Sequence, residues 1–348
     1  MSSIFKQLQK FLYNPLFTLR VILSLLICKN SLEQLNFLMG IKNNEPYALS
    51  YTWITNILPK QWLVNGDNFE VYYYLIIVST ALAVIGLLGR LGLFLLASSC
   101  IIVNGMVEGI GAFDHTLSLP SQMLLLLAFL PGTMAFSIDR LIFSSIFGKT
   151  YFKLPKRKLI KQSTNLILLL LVVTYFTAGV SKIRYGGAQW LDGSTLGFYI
   201  QDHTFDYEEG KKQILLGRSH GSQDDFEWKG KYNLYAHTYG NYNGSPRMRA
   251  VNSWLGSHKY VMSLISILTV LLELSGFIVF INPRLRNLYL VSIIGMHSLI
   301  GLTMGLGFTF YRIICVLLID WKIVFHDIKV TRRRMALKRL KVAHRLAG

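Results

Sequence analysis

The sequence predicts an all-α fold: a polytopic membrane bundle of about eight transmembrane helices with one long extracytoplasmic segment. Three observations predict it. Only 16% of the 348 residues are charged and 52% are hydrophobic, whereas a soluble domain carries roughly a quarter charged residues. Several uncharged runs approach the ~20 residues that one helix needs to cross a bilayer. The formal charge of +18 is clustered, with seven Lys/Arg and one Asp in 139–161 and nine Lys/Arg and one Asp in 322–348. Each basic block directly follows an apolar run, the way a membrane protein marks its cytoplasmic side. These features exclude an ordinary cytosolic enzyme and a disordered chain. No zinc-finger or RNP-type motif accompanies the basic charge, so nucleic acid is not the expected partner.

The first span is expected at Phe11–Cys28, interrupted by Arg20 and retained rather than cleaved, because no small-residue cleavage site follows it. Val71–Gly89, Leu91–Val107, Thr116–Ile138 and Gln162–Ser181 are uncharged, and Tyr260–Asn282 is apolar apart from Glu273. Asn287–Ile319 is too long for one crossing and slightly short for two, with Gly301, Gly305 and Gly307 offering a turn. Counting it as two gives eight spans, and then every basic loop falls on one side. Seven would put the tail opposite the 139–161 block. Open strands cannot satisfy their backbone in lipid, so the bundle is helical. Gly105/Gly109 and Gly301/Gly305 read as close-packing pairs.

The expected domain is therefore 1–321, with both termini cytoplasmic and 322–348 as a basic cytoplasmic tail. Residues 184–259 carry nine basic and eight acidic residues amid Tyr, Gly and Asn. They form an expected cap outside the membrane between spans five and six. Cys28, Cys100 and Cys315 lie in apolar stretches and indicate no disulfide framework.

A charge at membrane depth is costly and needs a reason. Lys182 follows the fifth span in FTAGVSKIRYGGAQWLDG. It reads as a snorkelling interfacial lysine or, with Tyr185, Gly186, Gly187, Trp190 and Gly193 building an elaborate exit around it, as a desolvated amine held neutral to act as a base. His115 occupies the outer turn between spans three and four, and His297 is flanked by apolar residues inside span seven. His115 reads as an interfacial histidine bonded to a loop carbonyl, facing the same outer leaflet as Lys182, and His297 as either a satisfied histidine tying two helices together or a catalytic one. Glu273 is expected protonated or paired with Arg312 or Arg20, a structural ion pair being the default. The histidines of 184–259 lack metal-ligand spacing, so no metal is expected. Asn243-Gly244-Ser245 fits a glycosylation acceptor by pattern alone.

AGVSKIRYGGAQWLDG resembles the AGxxKL…W…G signature of the horizontally transferred transmembrane domain superfamily, which includes the membrane part of vitamin K-dependent γ-glutamyl carboxylase. HTLSLPSQMLLLLAFLP is similar to that family's histidine-led fourth span. LLELSGFIVF resembles its acidic sixth, and GMHSLIGLTMGLGFTFYRI its span with an internal histidine and a Gly/Met turn. The matches keep family order over roughly residues 100–320. The resemblance implies that Lys182 deprotonates a reduced naphthoquinone, that oxygen then adds to give an epoxide, and that His115 and His297 support quinol and oxyanion. The carboxylase continues into a long extramembranous region, whereas 28 residues follow Asp320 here. A quinol-oxidising half-reaction, a small-molecule substrate or a partner subunit is therefore expected instead of protein carboxylation in its usual form. Two alternatives belong to other classes: a non-catalytic partner that binds or matures a secreted peptide through the cap, and a transporter with Glu273, Arg312 and His297 along its path. The transporter reading lacks paired broken helices or an inverted repeat in the sequence. Family distribution points to a bacterial plasma membrane.

Overall fold

The computed structural model describes residues 14–42, 57–59, 66–109, 115–134, 137–146, 157–201 and 245–346. The central part of the expected cap, 202–244, lies outside the described residues. Within them every regular element is helical: α1 (Pro15–Lys42), α2 (Gly66–Ile85), α3 (Gly89–Gly109), α4 (Ser118–Phe129, entered through a 3-10 turn at His115–Leu117), α5 (Ile138–Ile146) and α6 (Arg157–Ser181). A π turn at Lys182–Gly186 leads into α7 (Gly187–Leu191) and α8 (Ser194–Gln201). Then follow α9 (Pro246–Ser257), α10 (Lys259–Leu274, continued as a 3-10 segment at Ser275–Phe280), α11 (Pro283–Met304), α12 (Thr309–Leu318) and α13 (Trp321–Leu346).

Six helical stretches are long and apolar enough to cross a membrane: Pro15–Gly40, Asn68–Ile85, Gly89–Val107, Lys158–Leu191, Lys259–Phe280 and Pro283–Met304. That is the signature of a multi-pass membrane protein. α4 and α12 are apolar but have only 12 and 10 residues, about 18 and 15 Å of helix against a hydrocarbon core of ~30 Å. Physical punctuation shortens both. The expected span Thr116–Ile138 stops where Pro131 removes a backbone donor and Gly132 turns with φ +94°. The expected double span 287–319 turns after Gly305, at φ 72°, and through Phe308, at φ 37°. Because α11 begins four residues before Asn287, it crosses by itself and leaves α12 short.

Helix faces explain the burial. On α6, Ile167, Leu168, Leu171 and Val172 are buried, while Leu166, Leu169, Val173 and Phe176 on other faces are exposed. A helix apolar on both its packed and its open face suits lipid rather than water. Within lipid, burial against neighbours gains packing rather than a hydrophobic driving force, so close backbone approach matters. It occurs at Gly92, where an added Cβ would lie 2.7 Å from Ala83 N, and at Gly276, 2.9 Å from both Tyr289 Oη and Val172 Cγ1. Gly301 instead abuts the turn of its own chain, 3.4 Å from the Leu306 carbonyl oxygen.

One end of the bundle gathers the start of α1, the 86–89 and 131–137 turns, the start of α6 and the 282–287 and 320 junctions. Arg20, fully buried on α1, donates to Thr133 O at 3.1 Å and Val84 O at 3.4 Å. Asp139 accepts from Leu88 N at 2.8 Å and Gly89 N at 3.0 Å, capping α3. Ser163 Oγ donates to Pro131 O at 3.0 Å. Asn282 caps α11 by accepting from Arg284 N and Leu285 N, with Pro283 in the first turn. Asn287 and Asp320 exchange bonds of 3.2 and 2.8 Å. Asn14 and the start of α13 thus share an end, and Lys158, Arg284 and Arg286 are there too.

Candidate functional site

The α6–α10 contact positions the site. Helix α6 runs regularly to Ser181, then widens into the π turn that holds Lys182. π turns insert one residue into a helix and re-aim the side chains beside it. Helix resumes beyond Gly186 and Gly187 as α7. Gly186 lies under Trp190, where an added Cβ would be 2.8 Å from the Trp190 Cβ, and Gly187 takes φ 55°. The exit is clamped to α10 by Ser266 Oγ donating to Trp190 O at 2.5 Å and Ser263 Oγ to Leu191 O at 2.8 Å. Gly193, at φ 81°, presses directly on the Ser263 backbone nitrogen. Lys182 therefore sits at the π turn within the helical stretch Lys158–Leu191, directly after the regular helix ends at Ser181. The stretch is followed by Asp192, which accepts from Ser194 N at 2.8 Å at the start of α8 and faces Lys259 Nζ at 3.7 Å.

Glu273 is the partner of Lys182. Lys182 Nζ donates to Glu273 Oε1, with side-chain exposures of 23% and 4%. The expected pairing with Arg312 or Arg20 does not occur. Arg20 belongs to the opposite end of the bundle, bonded to the 84 and 133 carbonyls, and Arg312 donates to Thr309 Oγ1 at 3.3 Å on its own helix. The physical reason is backbone proximity: Gly179 lets α10 approach so closely that an added Cβ would be 3.1 Å from the Glu273 Cβ. One turn beyond Gly179, the π turn aims Lys182 at that carboxylate. The Trp190 ring covers the ammonium, with Nζ 5.5 Å from its centroid, a favourable cation–π contact in a desolvated place.

His297 enters the same neighbourhood from α11. It is buried, and its Nε2 shares a 2.7 Å hydrogen bond with Tyr175 Oη of α6. Its ring lies 4.5 Å from Phe308 and 5.7 Å from Tyr311, centroid to centroid. Glu273 Oε2, Tyr289 Oη, His297 Nδ1, Trp190 Nε1 and Arg312 Nε are buried without a hydrogen-bond partner. Groups of this kind normally find a protein, water or ligand partner. Among the described residues no group of three His, Cys, Asp or Glu could hold a metal ion.

No protein-family model, curated protein or solved structure matches the chain. The chemistry of the site must be read from its own atoms.

Of the residues singled out in the sequence, Lys182 and Glu273 meet directly, His297 joins α6 through Tyr175, Arg312 bonds Thr309, and Arg20 lies at the other end of the bundle. His115 heads the 3-10 turn before α4, but its side chain lies outside the described residues. Tyr175, Tyr289 and the covering role of Trp190 were not legible as site groups. Their only signal was position: Tyr175 lies two helical turns before Lys182, on the strongly apolar α6. Chemically, a desolvated Lys–Glu pair has two forms related by moving one proton along an existing hydrogen bond, ammonium–carboxylate and amine–acid. Low polarity narrows the gap between them. Such a pair can take a proton from a neighbouring O–H without leaving a net charge in the bundle.

Proposed function

We propose that this multi-pass membrane protein is a quinol-oxidising relative of the horizontally transferred transmembrane superfamily, with Lys182 as the base. A lipid-borne reduced naphthoquinone would approach sideways between spans. Lys182, in its amine form against protonated Glu273, takes one hydroxyl proton. The quinolate then combines with dioxygen, and the balanced outcome is quinol plus O2 giving quinone epoxide plus water. His297, oriented by Tyr175, donates toward the developing oxyanion; the family resemblance gives His115 a similar supporting role. The single observation that carries the reading is the Lys182–Glu273 pair, desolvated between two spans beneath Trp190. A bacterial plasma membrane with cytoplasmic termini completes the proposal.

The test is oxygen uptake with chromatographic product analysis by purified protein in nanodiscs supplied with a reduced naphthoquinone. General-base catalysis contributes about 10²–10⁴ in rate, so a folded Lys182→Ala protein should lose that much epoxide formation. Wild-type protein that leaves the quinol untouched, or a variant that matches wild type, removes the proposal.

One observation favours a second reading, proton-coupled transport. Both helices bearing the pair are interrupted at it, α6 by the π turn and α10 by the 3-10 segment that begins two residues after Glu273. Interrupted spans beside an ionisable pair are a transporter feature. Proton uptake into proteoliposomes without any quinol chemistry would support that reading over the first.

A further inference from the structure

The first turns of α13 are fixed against the bundle. Arg284 holds Asp327 in a two-bond clamp, Nε to Oδ2 and Nη2 to Oδ1, each 3.0 Å. The Asn287–Asp320 exchange anchors the residue before the helix. Trp321 Nε1 donates back to Val316 O at 3.1 Å, and its ring lies 6.1 Å from that of Phe325. From Asp320 to Asp327 the helix therefore stays beside the start of α11, at the level where α12 ends.

Its surface has two characters. Phe325, Ile328 and Met335 recur at helical spacing and are 45%, 45% and 50% exposed. Lys322, Lys329, Arg332, Arg333 and Arg334 are also exposed, and Asp327, the one acidic residue of 322–348, is already occupied by Arg284. At 100° per residue Lys322, Lys329 and Arg333 flank the apolar stripe on one side, and Arg332 lies within it. A plain solvated helix has no reason to expose that stripe, and a protein-docking helix has no reason to line it with Lys329, Arg332 and Arg333, all exposed. A basic amphipathic helix lying in the headgroup plane accounts for both. The same end of the bundle carries α5, whose Ile138, Leu141, Ile142 and Ile146 are exposed along one short helix.

We propose that α13 is a lipid-surface helix, with Phe325, Ile328 and Met335 seated in the headgroup boundary and Lys329, Arg332 and Arg333 binding anionic phospholipid headgroups. Each basic residue close to an anionic surface strengthens attachment about fivefold, so several acting together make the helix's stability depend on lipid charge. The binding is independent of the chemistry at Lys182.

The experiment is hydrogen exchange of the full chain in nanodiscs of phosphatidylcholine alone and of phosphatidylcholine with about one third phosphatidylglycerol. Attachment predicts that amides of 325–335 exchange at least tenfold more slowly in the anionic discs. Salt at about 1 M shortens the screening length to ~3 Å and should erase the difference, as should the triple variant Lys329→Gln/Arg332→Gln/Arg333→Gln. Equal exchange in the two lipids overturns the proposal, and so does a slowing that salt leaves intact. The lipid and salt comparisons use the unaltered protein, so they decide even if the variant misfolds.

Discussion

Removing either half of the Lys182–Glu273 pair should destabilise the bundle strongly, whereas removing both should cost much less. In Glu273→Leu the ammonium is left facing an apolar side chain. In Lys182→Met the carboxyl is likewise left without its partner. Lys182 retains 23% exposure and can relax toward the headgroups, while Glu273 at 4% cannot. Breaking a buried pair typically costs ~3–5 kcal/mol, so Lys182→Met should fall in that range and Glu273→Leu below it. Exchange of the whole pair for apolar residues is often neutral. A double-mutant cycle by equilibrium unfolding in mixed micelles, followed by tryptophan fluorescence, should return a coupling of at least about 2 kcal/mol. Coupling below ~0.5 kcal/mol, or a double variant as unstable as the sum of the singles, would show that the two groups do not depend on each other.

Tyr175→Phe strips His297 Nε2 of its partner while keeping the ring. It should cost about 1–3 kcal/mol by the same unfolding assay, and an unchanged protein would show that the bond carries nothing. Arg20→Met leaves the Thr133 and Val84 carbonyls bare at the basic end of the bundle. It should destabilise the fold by about 2–4 kcal/mol without altering quinol turnover per folded molecule; a loss of turnover in folded protein would contradict its assignment as structural. Asp327 is held below the usual carboxylate range by hydrogen bonds from Arg284 and then His326. A carboxyl depressed in the folded state stabilises it above the unfolded value of ~3.9 and ceases to as pH falls through the folded value. Exchange protection of α13's first turns should thus hold from pH 7 to about 4 and fail only below; loss already at pH 6 would refute the clamp.

The helical class was legible because apolar runs of span length leave no other way to satisfy a backbone in lipid. Boundaries were less so. Gly186 and Gly187 read as a turn at a span's exit; the π turn before them and the two serine bonds from α10 that fix the helix beyond them left no mark in the sequence. Pro131 and Gly132 look like one interruption in a long apolar run and in fact stop α4 after 12 residues. At the site, the unusual residues announced themselves by charge, since Lys182, Glu273 and Arg312 are conspicuous among apolar neighbours. Their pairing did not, because it depends on which helices touch. Gly179 and Gly276, which permit the α6–α10–α11 approach, look in sequence like any other small residues. Tyr175 was hidden for a different reason. A tyrosine in an apolar helix has the same sequence signature whether its hydroxyl meets lipid headgroups or a buried imidazole.

A cryo-electron microscopy map of the protein in nanodiscs loaded with a naphthoquinone tests the central claim most directly. The account predicts a ring whose oxygen lies within hydrogen-bond reach, about 2.6–3.2 Å, of Lys182 Nζ, beside Trp190, with Glu273 still on the far side of the amine. A quinone bound elsewhere, or Lys182 turned away from Glu273 into a water-filled opening, would contradict it.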